Sequence, residues 1–162
     1  MDHSPLTYRQ TVQPADCRRV ADIVEATGYF SPEEVSIAVE LVEEHLAKGA
    51  ASGYLFLFAE KGGTTIGYAC YGPIPGTLAS YDFYWLAVHP DYQGQGVGKK
   101  LHAQMEALII AAGGRKIYLD TSSRPQYEPT RKFHEGNGYR QCAFLEDYYA
   151  PGDGKVTFVK DI

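Results

Sequence analysis

Residues 81–112 read YDFYWLAVHPDYQGQGVGKKLHAQMEALIIAA, and three patterns succeed one another in them. Phe83-Tyr84-Trp85-Leu86-Ala87-Val88 is an apolar and aromatic run suited to a largely buried strand. His89-Pro90 ends it, because proline cannot donate to a sheet ladder. Gly94, Gly96 and Gly98 come next, at alternate positions. A helical pattern then puts Val97, Leu101, Met105, Leu108, Ile109 and Ala112 on one face, with Lys99, Lys100, Gln104 and Glu106 largely off it. Strand, glycine-rich turn and helix together make an anion site. Unpaired amides at a helix N-terminus point at the ligand, and glycine lets it approach without a Cβ in the way.

Three phosphate-binding patterns compete for this stretch. A P-loop needs a glycine five residues before Gly98 and a Ser or Thr after Lys99, where the chain has Gln93 and Lys100. A dinucleotide fingerprint needs G-x-G-x-x-G straight off the strand, with an acid about 20 positions later. Asp120 imitates that acid, but the spacing here is G-x-G-x-G and His89 to Gln93 lengthen the turn. Gln93-Gly94-Gln95-Gly96-Val97-Gly98 resembles the Q/R-x-x-G-x-G/A signature of the GCN5-related N-acetyltransferase (GNAT) superfamily. Leu86-Ala87-Val88-His89-Pro90 is similar to the strand that precedes it there. Glycines that serve turn geometry alone are the structural alternative.

Composition narrows the classes. The 162 residues suit one domain of ordinary globular make-up, 44% hydrophobic and 22% charged. Fifteen basic against twenty acidic residues leave a net charge of −5, which argues against a general nucleic-acid or membrane-surface binder. Cys17, Cys70 and Cys142 lack metal-site spacing and read as small apolar fillers. The N-terminal MDHSPLTYRQ has no apolar run, and no stretch approaches the roughly 18 apolar residues of a membrane span. A cytoplasmic protein without a metal is the expectation.

In chain order, Leu6 to Val12 reads as a strand, and Pro14-Ala15-Asp16 opens a helix with Cys17, Val20, Ala21 and Val24 on one face that Gly28 closes. Ser31-Pro32-Glu33-Glu34 has the form of a capping box, and Val35, Val39, Val42 and Leu46 continue an apolar face to Gly49. Tyr54–Ala59 and Thr65–Tyr71 make a hairpin around Lys61-Gly62-Gly63. After the central helix come a strand at Lys116–Thr121, a polar loop at 122–128 and a short helix at Pro129–Glu135. Strands at Tyr139–Phe144 and Val156–Lys160 complete the chain, joined by residues 146–154.

This order, over residues 1–162, resembles the acyl-CoA N-acyltransferase (GNAT) fold. That implies one α/β domain with a mixed central sheet of about seven strands flanked by about four helices. Thr130 to Tyr139, TRKFHEGNGY, is similar to the family's other characteristic segment. A connection at residues 29–34 is a family expectation for a lid over the substrate.

The resemblance implies acetyl-CoA as co-substrate and a small-molecule amine as acceptor, with a peptide N-terminus or a catalytically idle acyl-CoA-binding module as alternatives. A homodimer is compatible with it. The pyrophosphate would lie on amides of Gln93, Gly94, Gln95, Gly96, Val97, Gly98 and Lys99, and pantetheine along Leu86, Ala87 and Val88. Lys99, Lys100, Arg131 and Lys132 are candidates for the 3′-phosphate. An alkyl amine holds its proton to a pKa of about 10.4, so attack on a thioester is helped by a base, and the leaving thiolate by an acid. Many relatives use a tyrosine as that acid. Here the matching position is His134, which can instead be a structural histidine. For the base, Asp82 and Asp120 match positions used in different relatives, and each can equally be a strand carboxylate paired with Arg or Lys. Glu33, Glu34, Asp147, Tyr148, Tyr149 and Asp153 would make an acidic, aromatic mouth for a cation, and Tyr148-Tyr149 resembles the final hairpin of protein N-terminal acetyltransferases.

Overall fold

Seven strands and four α-helices alternate along the described residues of the computed structural model. They are β1 (Leu6–Arg9), α1 (Asp16–Thr27), α2 (Pro32–Lys48), β2 (Leu55–Lys61), β3 (Thr64–Pro73), β4 (Ser80–Val88), α3 (Val97–Ala111), β5 (Lys116–Ser122), α4 (Glu128–Gly136), β6 (Arg140–Ala150) and β7 (Asp153–Asp161). The structure describes residues 3–162, so Met1 and Asp2 of the N-terminal stretch lie outside the described residues. The sheet order is β1-β2-β3-β4-β5-β7-β6. β4 and β5 pair in parallel, while β1–β2, β2–β3, β5–β7 and β6–β7 are antiparallel. This is the mixed α/β sheet implied by the sequence. No helix among the described residues is long and apolar enough to cross a membrane.

The chain divides into two compact units. The first takes residues up to Gly72 together with Trp85–Ala107. Its core joins Val20, Ile23 and Val24 of α1, Val35, Ala38 and Val42 of α2, Phe56 and Phe58 of β2, Tyr68 and Cys70 of β3, and Ala87 of β4. The buried stripe of α2 is thus Val35-Ala38-Val42, and Leu46, expected on that face, is 40% exposed. His45 takes the inward place at the end of the helix, its Nδ1 2.6 Å from the Tyr54 carbonyl oxygen. The capping box forms as read: Ser31 Oγ accepts from the Glu34 N–H at 3.2 Å, and Glu34 Oε1 from the Ser31 N–H at 3.1 Å. Gly67 sits at a close approach, since a Cβ there would stand 3.0 Å from the Ala87 carbonyl oxygen and 3.2 Å from Leu101 Cδ1. Residues 29–34 are tied down by Phe30, whose ring centroid lies 5.0 Å from that of Trp85.

β1 stops at Arg9 rather than Val12 because the Arg9 guanidinium pulls the chain round. It donates to the Thr11 carbonyl, grips Asp16 through Nη1 and Nη2 at 2.8 and 2.9 Å, and reaches Glu60 at 2.7 Å. Asp16 is fully buried and also accepts from the Gln13 N–H and from Arg19.

The second unit comprises Pro73–Tyr84 and Leu108–Ile162. Ile117, Leu119, Tyr139, Val156, Phe158 and Val159 are buried there. The connection expected at 146–154 is mostly strand: β6 and β7 run on to a tight turn at Pro151-Gly152, and a register shift between Leu145 and Ala150 absorbs the surplus residues. Asp147, at φ 55°, stabilises this bulge by accepting the Gly152 N–H at 2.7 Å. Cys70 is buried as expected of a filler, whereas Cys142 is exposed on β6.

Burial alone would raise the Asp16 carboxyl, but hydrogen bonds from Arg9, Gln13 and Arg19 outweigh it and hold it below the usual carboxylate range. Its contribution to stability is therefore present above the unfolded pKa of about 3.9 and lost as pH falls through the lower folded value. Asp16→Ala, which removes the buried bidentate partner of Arg9 and leaves it Glu60 alone, should cost about 3 kcal/mol in urea unfolding at pH 7 and remove that acid dependence.

Candidate active site

The first unit carries the anion-binding candidate. After β4 the His89 N–H donates to the Ile66 carbonyl at 2.8 Å, which fixes the exit of the strand. Pro90–Tyr92 then form a single 3₁₀ turn, capped by His89 Nδ1, which accepts the Asp91 N–H at 3.2 Å. The Gln93 N–H is spent on the Pro90 carbonyl at 3.2 Å, while its side-chain Nε2 reaches back to the Val88 carbonyl at 3.0 Å. Gln93 therefore staples the turn to the end of the strand, a role that its place in a phosphate signature did not disclose.

Beyond Gln93 the amides change character. The first N–H of α3 with a helical partner is that of Lys100, bound to the Gly96 carbonyl at 3.0 Å. Among the described residues, no chain acceptor meets the N–H groups of Gly94, Gln95, Gly96, Val97, Gly98 or Lys99. Gly94 and Gly96 both have φ 78°, and a Cβ built on either would meet nothing within 4 Å. Val97 is 6% exposed and pins the first turn of the helix from behind. Free amides, a helix dipole and open glycine faces suit a polyphosphate, so the residues present fit the phosphates of a coenzyme.

The candidate cations divide. Arg131 donates through Nη1 to the carbonyls of Ser122 and Arg124 at 2.7 and 3.1 Å, which commits it to closing its own loop. Lys132 pairs with Glu128 at 3.3 Å. Lys99 and Lys100 are exposed, with no acidic partner among the described residues.

The second unit holds the titratable groups, and strand alternation sorts them. Asp82 is in register with Tyr118 of β5, so the two share a face, and Asp120 stands two residues further along that face. Tyr84 lies on the same side and donates to Asp82 at 3.2 Å. Burial pushes the Asp82 carboxyl up, the Tyr84 hydrogen bond draws it down, and the Asp120 charge pushes it up again, with a net rise. Asp120 accepts from Thr157 Oγ1 at 2.6 Å and lies 4.0 Å from Lys155 Nζ. That ammonium sits 4.1 Å over the Tyr148 ring. The Tyr149 hydroxyl is pushed up to about 12 by burial, then by Asp120 and neighbouring phenols and acids. Thr157 and Lys155 escaped the sequence reading because only the antiparallel β5–β7 register brings them beside Asp120.

His134 belongs to the other face. Its ring is buried and meets Phe83 edge-on at 5.6 Å, with Phe133, Tyr139 and Phe158 at 5.5, 5.8 and 6.4 Å. Phe83 neighbours Asp82 and therefore points to the opposite side of β4. The two carboxylates are brought together, and the histidine is kept apart from them. Of the acids expected at a cationic mouth, Glu34 serves its helix cap, Asp147 the hairpin bulge, and Asp153 is held by Ser122 and Arg124. No group of metal-ligating side chains occurs among the described residues.

A profile described as Acetyltransferase (GNAT) family matches residues 21–139. A crystal structure of a GNAT-family protein from Desulfovibrio desulfuricans is 43% identical and superimposes with a TM-score of 0.95, covering 97% of this chain and 99% of that one. An acetyltransferase from Pectobacterium atrosepticum is 40% identical over 65 residues, which are 40% of this chain and 44% of that relative. The match thus spans under half the length of that curated relative. A crystal structure of an aminoglycoside 6′-N-acetyltransferase complexed with coenzyme A has a TM-score of 0.75 at 17% identity, covering 97% of this chain and 96% of that one, and so shares the fold alone.

Replacing Gln93 by Leu removes the staple without touching the glycines. Unfolding free energy should fall by about 1 kcal/mol, and exchange of the hydrogen-bonded amides of Gln93 and Lys100 on either side of the glycines should quicken by mass spectrometry.

Proposed function

The chain belongs to the acetyltransferase (GNAT) family, and on that premise we propose that it moves an acetyl group from acetyl-CoA to the primary amine of a small molecule, by direct attack in a ternary complex. The observation that carries this reading is the run of N–H groups from Gly94 to Lys99 that find no acceptor among the described residues. These amides hold the pyrophosphate. The Gln93 side chain orders them, and Lys99 and Lys100 answer the 3′-phosphate. The main chain of Leu86, Ala87 and Val88 takes the pantetheine arm, consistent with a β4–β5 register that ends at Asp82↔Tyr118 while β4 continues to Val88.

In the reaction a bond forms between the amine nitrogen and the acyl carbon as the carbon–sulfur bond breaks. The nitrogen sheds a proton, and the departing sulfur takes one up. Asp82, with its raised pKa and no cationic partner among the described residues, is the better placed carboxylate to receive the amine proton through a water. Asp120, already answered by Thr157 and Lys155, holds negative charge that favours an ammonium beside it. His134 delivers a proton from the opposite face of β4, so donor and acceptor groups do not neutralise each other directly. The family profile covers residues 21–139 and so takes in parts of both compact units, which supports reading residues 1–162 as one catalytic domain. Three free thiols fit a cytoplasmic setting.

A second reading, a coenzyme-binding module without turnover, draws on the four rings packed round His134, which also suit a purely structural histidine. Release of free thiol from acetyl-CoA across a panel of small amines and N-terminal peptides separates the two. Turnover on small amines supports the enzyme, turnover on peptides alone moves the acceptor class, and tight coenzyme binding without turnover favours the module.

Gly96→Glu puts a side chain and a like charge into the amide cradle, so calorimetric coenzyme A binding should vanish. The strained left-handed φ should lower stability by only about 1–2 kcal/mol. His134→Phe keeps the aromatic packing and should lower kcat about 100-fold with coenzyme affinity nearly unchanged. Equal losses in both would make His134 a packing residue.

A further inference from the structure

The side of the sheet that carries Asp120 also carries a cation that the proposed reaction does not use. Ser122 stands two residues beyond Asp120 on β5, its register partner on β7 is Lys155, and Asp153 comes two residues before Lys155. Strand alternation puts all of them on the Asp120 side. At this end Ser122 Oγ donates to Asp153 Oδ1, and Arg124 Nε lies 3.3 Å from Asp153 Oδ2. Arg124 is held from every side but one. Its N–H donates to Ser122 Oγ at 3.1 Å, and its carbonyl accepts from Arg131 at 3.1 Å and from the Tyr127 N–H at 3.0 Å. Its guanidinium carbon lies 5.4 Å from the centre of the Tyr127 ring. Asp153 takes the Nε edge, and Nη1 and Nη2 meet no acceptor among the described residues. The Arg124 side chain is 46% exposed against 13% for Asp153, so a molecule on this face can reach those nitrogens. Two N–H donors side by side on a planar guanidinium match the two oxygens of a carboxylate.

Tyr149 joins the two ends of this face. Its hydroxyl is pushed up to about 12 by burial, then by Asp120, Tyr148, Asp153 and Tyr127, so it stands within reach of both Asp120 and the Arg124 end and keeps its proton near neutral pH. A protonated phenol can donate to an anion. Lys155, 4.0 Å from Asp120 Oδ2 and stacked on Tyr148, stays with the carboxylate it already meets. We propose that the acceptor is an aminocarboxylate, its ammonium against Asp82 and Asp120 and its carboxylate in the fork of Arg124, with the Tyr149 hydroxyl beside it. The inference rests on the acyl transfer already proposed and narrows its acceptor class. From Asp120 to Ser122 is a step of about 7 Å along the strand, so the amine and the carboxylate stand several bonds apart rather than on one carbon. ω-Amino acids have that form.

Acetyl-CoA turnover on γ-aminobutyrate, δ-aminovalerate and ε-aminocaproate, each against its carboxamide, reads the preference, since the amide keeps the amine and loses only the anion. For the chain length that fits best, kcat/KM of the wild type should be roughly tenfold higher on the acid, with most of the difference in KM. Arg124→Gln should bring that ratio near one, and Arg124→Lys should restore only part of it, because an ammonium lacks the fork. The ratio of acid to amide within one preparation does not respond to a lowered fraction of folded protein. Amides used as well as acids, or a preference that survives R124Q, would overturn the inference and leave the acyl transfer standing. Turnover of neither acids nor amides would count against the acyl transfer instead, and calorimetry of the same pairs on the coenzyme A-loaded protein then decides the inference. Binding of an acid that R124Q and the change to carboxamide each weaken about tenfold upholds it, and acids bound no better than amides overturn it.

Discussion

Six consecutive N–H groups at the start of α3 have no acceptor among the described residues, and holding them in that state is the constraint on which the surrounding structure depends. Exposed amides ordinarily find a side-chain cap or fold into a tighter turn. Here the chain denies them both. Gln93 spends its own N–H on Pro90 and its side chain on Val88, so it cannot cap the helix start beyond it. The glycines at 94 and 96 bring no side chain of their own. Val97 and Leu101 fasten the first turns of the helix by burial, and Gly67 lets β3 and β4 approach closely enough to receive them. The donors stay fixed, ready for an anion brought from outside.

The pleat of β4 imposes a second order. Odd and even residues of a strand face opposite sides, and the register with β5 and β7 extends that division across three strands. Asp82, Tyr84, Asp120 and Thr157 fall on one side, and Phe83, His134 and Phe158 on the other. Groups that would cancel if adjacent are thereby kept on separate sides of a sheet, each among different neighbours. On one side burial and the Asp120 charge raise the Asp82 carboxyl, and the Tyr149 phenol is raised in the same way. On the other, aromatic rings exclude solvent from an imidazole.

Much of this was legible in the residues because it is local. Strand β4, the turn, helix α3 and the capping box of α2 each arise from spacing and residue type. The features that escaped depend on registers that no short window contains. Lys155 and Thr157 meet Asp120 only through the β5–β7 ladder. The α2 stripe includes Ala38 and His45 and excludes Leu46, because a hydrophobic pattern cannot tell which of two neighbouring stripes the sheet will cover. Residues 146–149 read as a loop from their acids and tyrosines, yet the ladder continues past them through a bulge. Arg131 looked available for a phosphate until the carbonyls of Ser122 and Arg124 claimed it.

Backbone amide chemical shifts recorded while coenzyme A is titrated in test the central claim most directly. The account predicts that the signals of Gly94 to Lys99 move most and that their exchange with water slows on saturation. Dephospho-coenzyme A should still move the glycine signals but spare the side chains of Lys99 and Lys100. Saturating coenzyme A that leaves those six amide signals where they were, while others move, would contradict it.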